Sequence, residues 1–187
     1  YDLSVRLRLI AQALIACILI FGVGSYLQGL GDVFGFGAIN LGYFGIPLTI
    51  LAVIASINAF NMTDGIDGLA GSLALNTFLS IAILFWLANQ PHYADLAYIL
   101  VCAIIPFLLF NLGLVPGPVK KVFMGDAGSM FIGLSVIWLL TLGSQGENAA
   151  FRPVTALWII AVPLMDMAAI IIRRLLKGAS PFKPDRD

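Results

Sequence analysis

Apolar residues run along this chain in long blocks, separated by short breaks that are glycine-rich, polar or charged. A membrane-spanning α-helix needs about 20 mainly apolar residues. Six blocks approach that length: Arg8–Val23, Tyr43–Phe60, Leu69–Ala88, Ala94–Leu114, Ala127–Leu142 and Pro153–Ile172. The pattern predicts an all-α, polytopic transmembrane bundle of about six helices, with residues 1–187 forming a single domain. Pro47, Pro106 and Pro163 fall inside predicted helices, which membrane helices tolerate when neighbours re-satisfy the freed carbonyls. Between the first two blocks, Gly24–Gly42 interleaves glycine with Tyr, Phe and Val, and reads as an interfacial loop with a short hairpin.

Composition supports lipid as the solvent. The chain is 60% hydrophobic and 11% charged, with a mean hydropathy of +1.01, whereas soluble domains carry roughly 25% charged residues. Formal net charge is zero, so bulk charge gives no case for nucleic-acid binding. Cys17 and Cys102 lie in apolar runs without metal-ligand spacing and read as packing residues. His92 sits in a short polar loop and is assigned no role. The sequence opens at Tyr1 without a signal-peptide layout and closes just after a basic stretch, so it reads as cut at both ends.

Charge position matters more than charge total. With six alternating spans, one side receives Arg6, Arg8, Lys120, Lys121, Arg173, Arg174, Lys177, Lys183 and Arg186, and the other only Arg152. This nine-to-one bias marks the first side as cytoplasmic.

The unusual polar residues gather on that same side. The segment Asn58-Ala-Phe-Asn61-Met-Thr-Asp64-Gly-Ile-Asp67-Gly-Leu-Ala-Gly71 spaces its asparagines and its aspartates three apart, so each pair shares a face if helical. Carboxylates at a membrane boundary, with no lysine or arginine near in sequence, are costly unless a cation joins them. Magnesium suits them, because it takes oxygen ligands and bridges carboxylates to phosphates. One Asp-Gly alone reads as a helix cap and turn. Two of them, with paired asparagines before them, favour the metal reading.

The next loop on that side carries Lys120-Lys121-Val-Phe123-Met-Gly-Asp126-Ala-Gly-Ser129. Amides at a helix N-terminus attract anions. Asp126 could therefore hold a metal that carries a diphosphate, with Lys120 or Lys121 offsetting phosphate charge; an N-capping aspartate beside topogenic lysines is the alternative. Phe123 reads either as apolar filling or as a platform for a nucleobase. In the last segment, Arg174 and Arg186 suit bidentate phosphate contacts, while Lys177 and Lys183 read as lipid-headgroup anchors. Asp166 is expected to be a buried carboxylate of the sixth helix, either functional or bonded to a neighbouring helix.

The Asn58–Gly71 segment and Val122-Phe-Met-Gly-Asp-Ala-Gly-Ser129 resemble the signatures of the polyprenyl-phosphate N-acetylhexosamine-1-phosphate transferases. The tail Ser180-Pro-Phe-Lys-Pro-Asp-Arg186 is most similar to the branch that uses undecaprenyl phosphate and UDP-N-acetylglucosamine. The resemblance implies a magnesium-dependent transfer of N-acetylglucosamine-1-phosphate to the lipid carrier, with manganese as a substitute ion. UMP is released, and a lipid-linked glycan of the O-antigen or enterobacterial common antigen type begins. It implies that Asp126 is the metal ligand and that Asp64 and Asp67 line the active site. It places Asn111 and Phe123 near the uridine and Arg174 at the nucleotide or phosphate, with Asn58 and Asn61 as further substrate-binding candidates. It also implies a multi-pass protein of the bacterial inner membrane with a cytoplasmic active site, and leaves room for a homodimer.

An aspartate pair that precedes Tyr1-Asp2-Leu3 in the family, and a histidine-rich motif that follows Asp-Arg, are not in this sequence. The chain therefore reads as part of a longer enzyme. The competing expectations are a sister phospho-N-acetylmuramoyl-pentapeptide transferase and, from another class, a cation-coupled transporter.

Overall fold

The structure is a computed structural model that describes residues 4–32, 35, 37–117 and 120–178. Its helices are α1 (Val5–Cys17), α2 (Gly45–Thr63), α3 (Leu69–Leu87), α4 (Pro91–Asn111), α5 (Gly125–Ser144), α6 (Pro153–Ile159) and α7 (Ala161–Leu176). Ser4 caps α1, accepting the Leu7 N–H at 3.4 Å, so the helix starts before Arg8. It closes in a π-helical turn over Ile18–Gly22. The glycine-rich stretch forms the expected hairpin, with β1 (Gly29–Gly31) antiparallel to β2 (Ile39–Asn40) across a bulge.

Among the described residues, five helices are long and apolar enough to cross a membrane: Val5–Gly22, Gly42–Thr63, Leu69–Leu87, Pro91–Asn111 and Gly125–Ser144. The expected continuous sixth helix over Pro153–Ile172 is corrected. It breaks at Ile160 into α6 and α7, bent by 67°. Proline explains the position of the break. Pro163 has no N–H and its ring clashes with the carbonyl four residues back, so it is accommodated in the first turn of a new helix. Pro47 likewise occupies the first turn of α2, whereas Pro106 stays inside an unbroken α4.

The main core lies where α3, α4 and α5 meet. Phe78, Ile81 and Phe85 of α3 pack with Ala97, Val101 and Ile104 of α4 and with Val136 and Leu139 of α5, all buried. Small residues let helices approach closely in lipid. Gly133 of α5 shows this: a Cβ there would stand 2.6 Å from Ile57 Cα and from the Ser56 carbonyl oxygen. Ser56 Oγ donates to the Gly133 carbonyl at 2.7 Å and pins the crossing of α2 and α5.

The bundle has two distinct ends. At one, Gln145 Oε1 accepts the N–H groups of Gln28 and Gly29 at 2.9 and 3.0 Å, and Gln90 Nε2 donates to the Asn148 carbonyl at 2.6 Å. The other end gathers the start of α1, the α2–α3 turn and the start of α5.

Candidate active site

The site begins with the facing surfaces of α1 and α2. Arg8 and Gln12 stand four apart on α1, and Asn58 and Asn61 three apart on α2, so each pair forms one face. Asn58 Nδ2 donates to Gln12 Oε1 at 2.8 Å and to the Ile54 carbonyl at 2.7 Å. Asn58 thus joins α1 to α2. Gln12 is buried, and its Nε2 makes no hydrogen bond.

One turn on, Asn61 connects three elements. Its Oδ1 accepts from Arg8 Nη2 at 3.0 Å, and its Nδ2 donates to Asp126 Oδ1 at 3.2 Å and to Ser129 Oγ at 3.0 Å. Arg8 Nη1 completes the group 3.7 Å from Asp126 Oδ2. Asp126 occupies the first turn of α5, where the helix dipole favours negative charge. Met124 is the cap residue there and supplies no side-chain hydrogen bond.

Asp64 approaches the same helix start from α2. It closes that helix at its C-terminus and accepts the Gly125 N–H. Burial raises its pKa above the ordinary carboxylate range, and the Asp126 charge raises it further; the Gly125 hydrogen bond opposes both. The Asp64 and Asp126 charges therefore repel one another at the start of α5 with that repulsion incompletely balanced. Nothing stands within 4 Å of the position a Cβ would take on Gly125, so the backbone is open to a ligand there.

Asp67 is held differently. Lys121 Nζ donates to its Oδ2 at 2.6 Å, with both side chains partly exposed. Asn111 braces these two loops from beneath. It is only 5% exposed; its Oδ1 accepts the Gly68 N–H at 2.6 Å and its Nδ2 donates to the Val122 carbonyl at 2.8 Å. Gly68 is required at the turn, since its φ is +78° and a Cβ would fall 2.4 Å from Leu112 Cδ2.

The remaining candidates are spread around this centre. Lys120 is exposed, Phe123 is 74% exposed, and Arg174 is half-buried in the last turn of α7. Arg186 and Lys183 lie outside the described residues. Asp166, expected to be buried, is exposed: the bend at Ile160 leaves it on an open side of α7, whose buried residue is Pro163. Arg8 was counted in the sequence for topology alone. The signal for more was there, in an arginine one turn into an apolar helix with a glutamine four residues on.

Among the described residues, no three Asp, Glu, His or Cys side chains stand close enough together to hold a metal ion. Asp64 and Asp126 nevertheless fit magnesium, which typically takes one or two carboxylates and fills its other positions with water and phosphate oxygens. Their oxygen-only donors and mutual repulsion are what such an ion relieves.

The model of glycosyl transferase family 4 matches residues 1–144 of the chain. Over 186 residues the chain is 49% identical to undecaprenyl-phosphate alpha-N-acetylglucosaminyl 1-phosphate transferase of Escherichia coli O157:H7, covering 100% of this chain and 50% of that protein. Relatives of the same name in Yersinia pestis and Haemophilus influenzae are each 50% identical over 186 residues, with 51% and 52% of their lengths covered. The chain spans about half the length of the curated relatives it matches.

Proposed function

Because this chain belongs to glycosyl transferase family 4, we propose that it forms much of the catalytic face of an enzyme that moves N-acetylglucosamine-1-phosphate from UDP-N-acetylglucosamine to undecaprenyl phosphate. The observation that carries this reading is the convergence of two mutually repelling carboxylates, Asp64 and Asp126, on the open start of α5. An oxygen of the acceptor phosphate attacks the sugar-linked phosphorus. A new phosphoanhydride bond forms, the bond to the uridine phosphate breaks, and UMP leaves with that bond's electron pair. One phosphoanhydride replaces another, so the reaction is close to reversible. Such chemistry needs positioning and charge neutralisation more than a strong nucleophile.

In this reading Asp126 and Asp64 hold a divalent cation, magnesium or manganese, which neutralises phosphate charge when bound. Asn61 fixes the rotamer of Asp126 by its amide hydrogen bond. Lys121, with Lys120 beside it, offers positive charge to the diphosphate, and Asp67 restrains Lys121 until then. The exposed Phe123 ring offers a face on which the uracil stacks. Asn111 serves the nucleotide by holding the loops around it. Arg174 is assigned to phosphate or nucleotide binding from the family's motif, and Arg186 to phosphate from the bidentate fork of its guanidinium.

The acceptor's tail needs an apolar path. A cavity of about 310 Å³ lies between α2, α5, α6 and the hairpin, lined by residues such as Leu27, Leu30, Leu48, Leu140 and Leu157; it opens toward the end of the bundle away from the carboxylates and suits the distal isoprenoid units. The nine-to-one cation bias supports a cytoplasmic position for the carboxylates, the side on which nucleotide sugars are available to an enzyme of the bacterial inner membrane.

The test is to incubate membranes carrying the native protein with labelled UDP-N-acetylglucosamine and undecaprenyl phosphate, then extract the lipid. Label in the lipid phase with stoichiometric UMP is expected. Label from UDP-N-acetylmuramoyl-pentapeptide alone would transfer the protein to the sister activity. Cation flux in proteoliposomes without UMP release would make it a transporter.

A further inference from the structure

We propose that Arg8 is a phosphate-binding residue of this site, held on Asn61 and Asp126 until a divalent cation takes up the aspartate. The inference rests on the reading of Asp64 and Asp126 as cation ligands. It assigns a role to a side chain which that reading leaves unused.

A guanidinium carries five N–H donors in a fixed fork. The contacts Arg8 makes here use it lightly. One nitrogen donates to Asn61 Oδ1 at 3.0 Å, and another lies 3.7 Å from Asp126 Oδ2, too far for a good hydrogen bond. The side chain is 30% exposed and that of Asp126 is 74% exposed, so the pair opens to solvent above the carboxylates. Exposed pairs of this kind bind weakly and separate easily. An arginine placed one turn into an apolar helix is costly, and such residues are usually retained for a partner.

Charge supplies the rest. Lys121 is held by Asp67, and Arg8 faces Asp126. A divalent ion arriving between Asp64 and Asp126 removes the attraction that holds the guanidinium and repels it. Asn61 keeps its own bond to Arg8, so the guanidinium is released beside the cation and not into bulk water. Its planar fork then matches two phosphate oxygens of a diphosphate. Arg8 and the cation thus compete for Asp126 in the empty site and cooperate once the diphosphate is bound.

The competition can be read without catalysis. The native protein in detergent is titrated with magnesium chloride alone while its thermal unfolding is followed, for wild type, Arg8→Gln and Arg8→Lys. Removing the charge in Arg8→Gln should lower the half-saturating magnesium concentration about 1.5- to 5-fold, the scale of an exposed ion pair. In the transfer assay the same variant should lose roughly 10- to 100-fold in kcat/KM, mostly through KM for the nucleotide sugar, as expected for a lost hydrogen bond to a charged group. Arg8→Lys keeps the charge, so its magnesium midpoint should stay near wild type and part of the turnover should return. Weaker or unchanged magnesium stabilisation in Arg8→Gln overturns the proposal while leaving the cation site intact. A wild-type protein that magnesium does not stabilise at all overturns both.

Discussion

At the residue scale, Asp64 lies with Asp126 at the start of α5, and its pKa, raised by burial and further by the Asp126 charge, has a measurable consequence. A carboxyl whose folded pKa lies above its unfolded one favours the fold while protonated. That contribution is fully present below the unfolded pKa and is lost as pH rises through the raised folded value. Metal-free protein should therefore lose stability across that acidic window, and Asp64→Asn should flatten the slope. At neutral pH the same variant should melt no lower than wild type without magnesium and gain less from adding it. Thermal unfolding at several pH values checks both. Asp126→Asn should insert into membranes normally yet lose more turnover than the roughly 10- to 100-fold typical of a residue that only supports a metal ligand. Near-wild-type UMP release would end its assignment as a ligand.

Asn111 tests a different kind of role. Its two polar atoms hold the Gly68 and Val122 backbone groups. Asn111→Ala leaves the buried Gly68 N–H without its partner and should cost about 1–3 kcal/mol of stability. Asn111→Asp keeps an acceptor for Gly68 but sets a buried carboxylate oxygen against the Val122 carbonyl, so it should cost at least as much. A residue that only touched the uridine would change KM for the nucleotide sugar and leave the melting temperature alone.

At the element scale, the crossing of α2 and α5 sets the distance between Asn61 and its partners Asp126 and Ser129. Gly133→Ala would drive a methyl group into the backbone of Ile57 and Ser56, 2.6 Å away. Overpacking of this kind costs about 1–3 kcal/mol. It should also reduce turnover, because spreading the helices pulls Asn61 off Asp126. Gly22→Ala meets only Ile18 Cγ2 at 3.7 Å and should leave stability within about ±0.5 kcal/mol. Helix existence was legible in the sequence, since a lipid-facing helix must be apolar for most of its length. The break at Ile160 was not, because Pro106 and Pro163 look alike in sequence while only the latter falls at a bend. The Asp-Gly and Gly-Asp-Ala-Gly motifs pointed to the candidate site, because carboxylates at a membrane edge have few structural uses. Arg8 carried a signal of its own, but its partners were hidden because they lie 53 and 118 positions away along the chain. The pairing of Asp67 with Lys121 was hidden for the same reason.

At the scale of the whole molecule, contacts sort the chain into the two ends that the cation count alone had suggested. Arg8, Asn61, Asp126, Lys121 and Asp67 are joined at one end, and Gln28, Gln90, Gln145 and Asn148 at the other. The two inferences use different facts, one the loop charges and one the hydrogen bonds, so their agreement constrains the topology. It can be tested in intact cells. With Cys17 and Cys102 replaced by alanine, Asn148→Cys and Lys120→Cys place single thiols at exposed positions on opposite ends. A membrane-impermeant thiol reagent added outside should modify Asn148→Cys at once and Lys120→Cys only after the membrane is opened. Labelling of Lys120→Cys from outside would put the carboxylates on the face that nucleotide sugars do not reach. No arrangement of Asp64, Asp126 and Arg8 could then support the proposed transfer, however well their geometry suited a diphosphate.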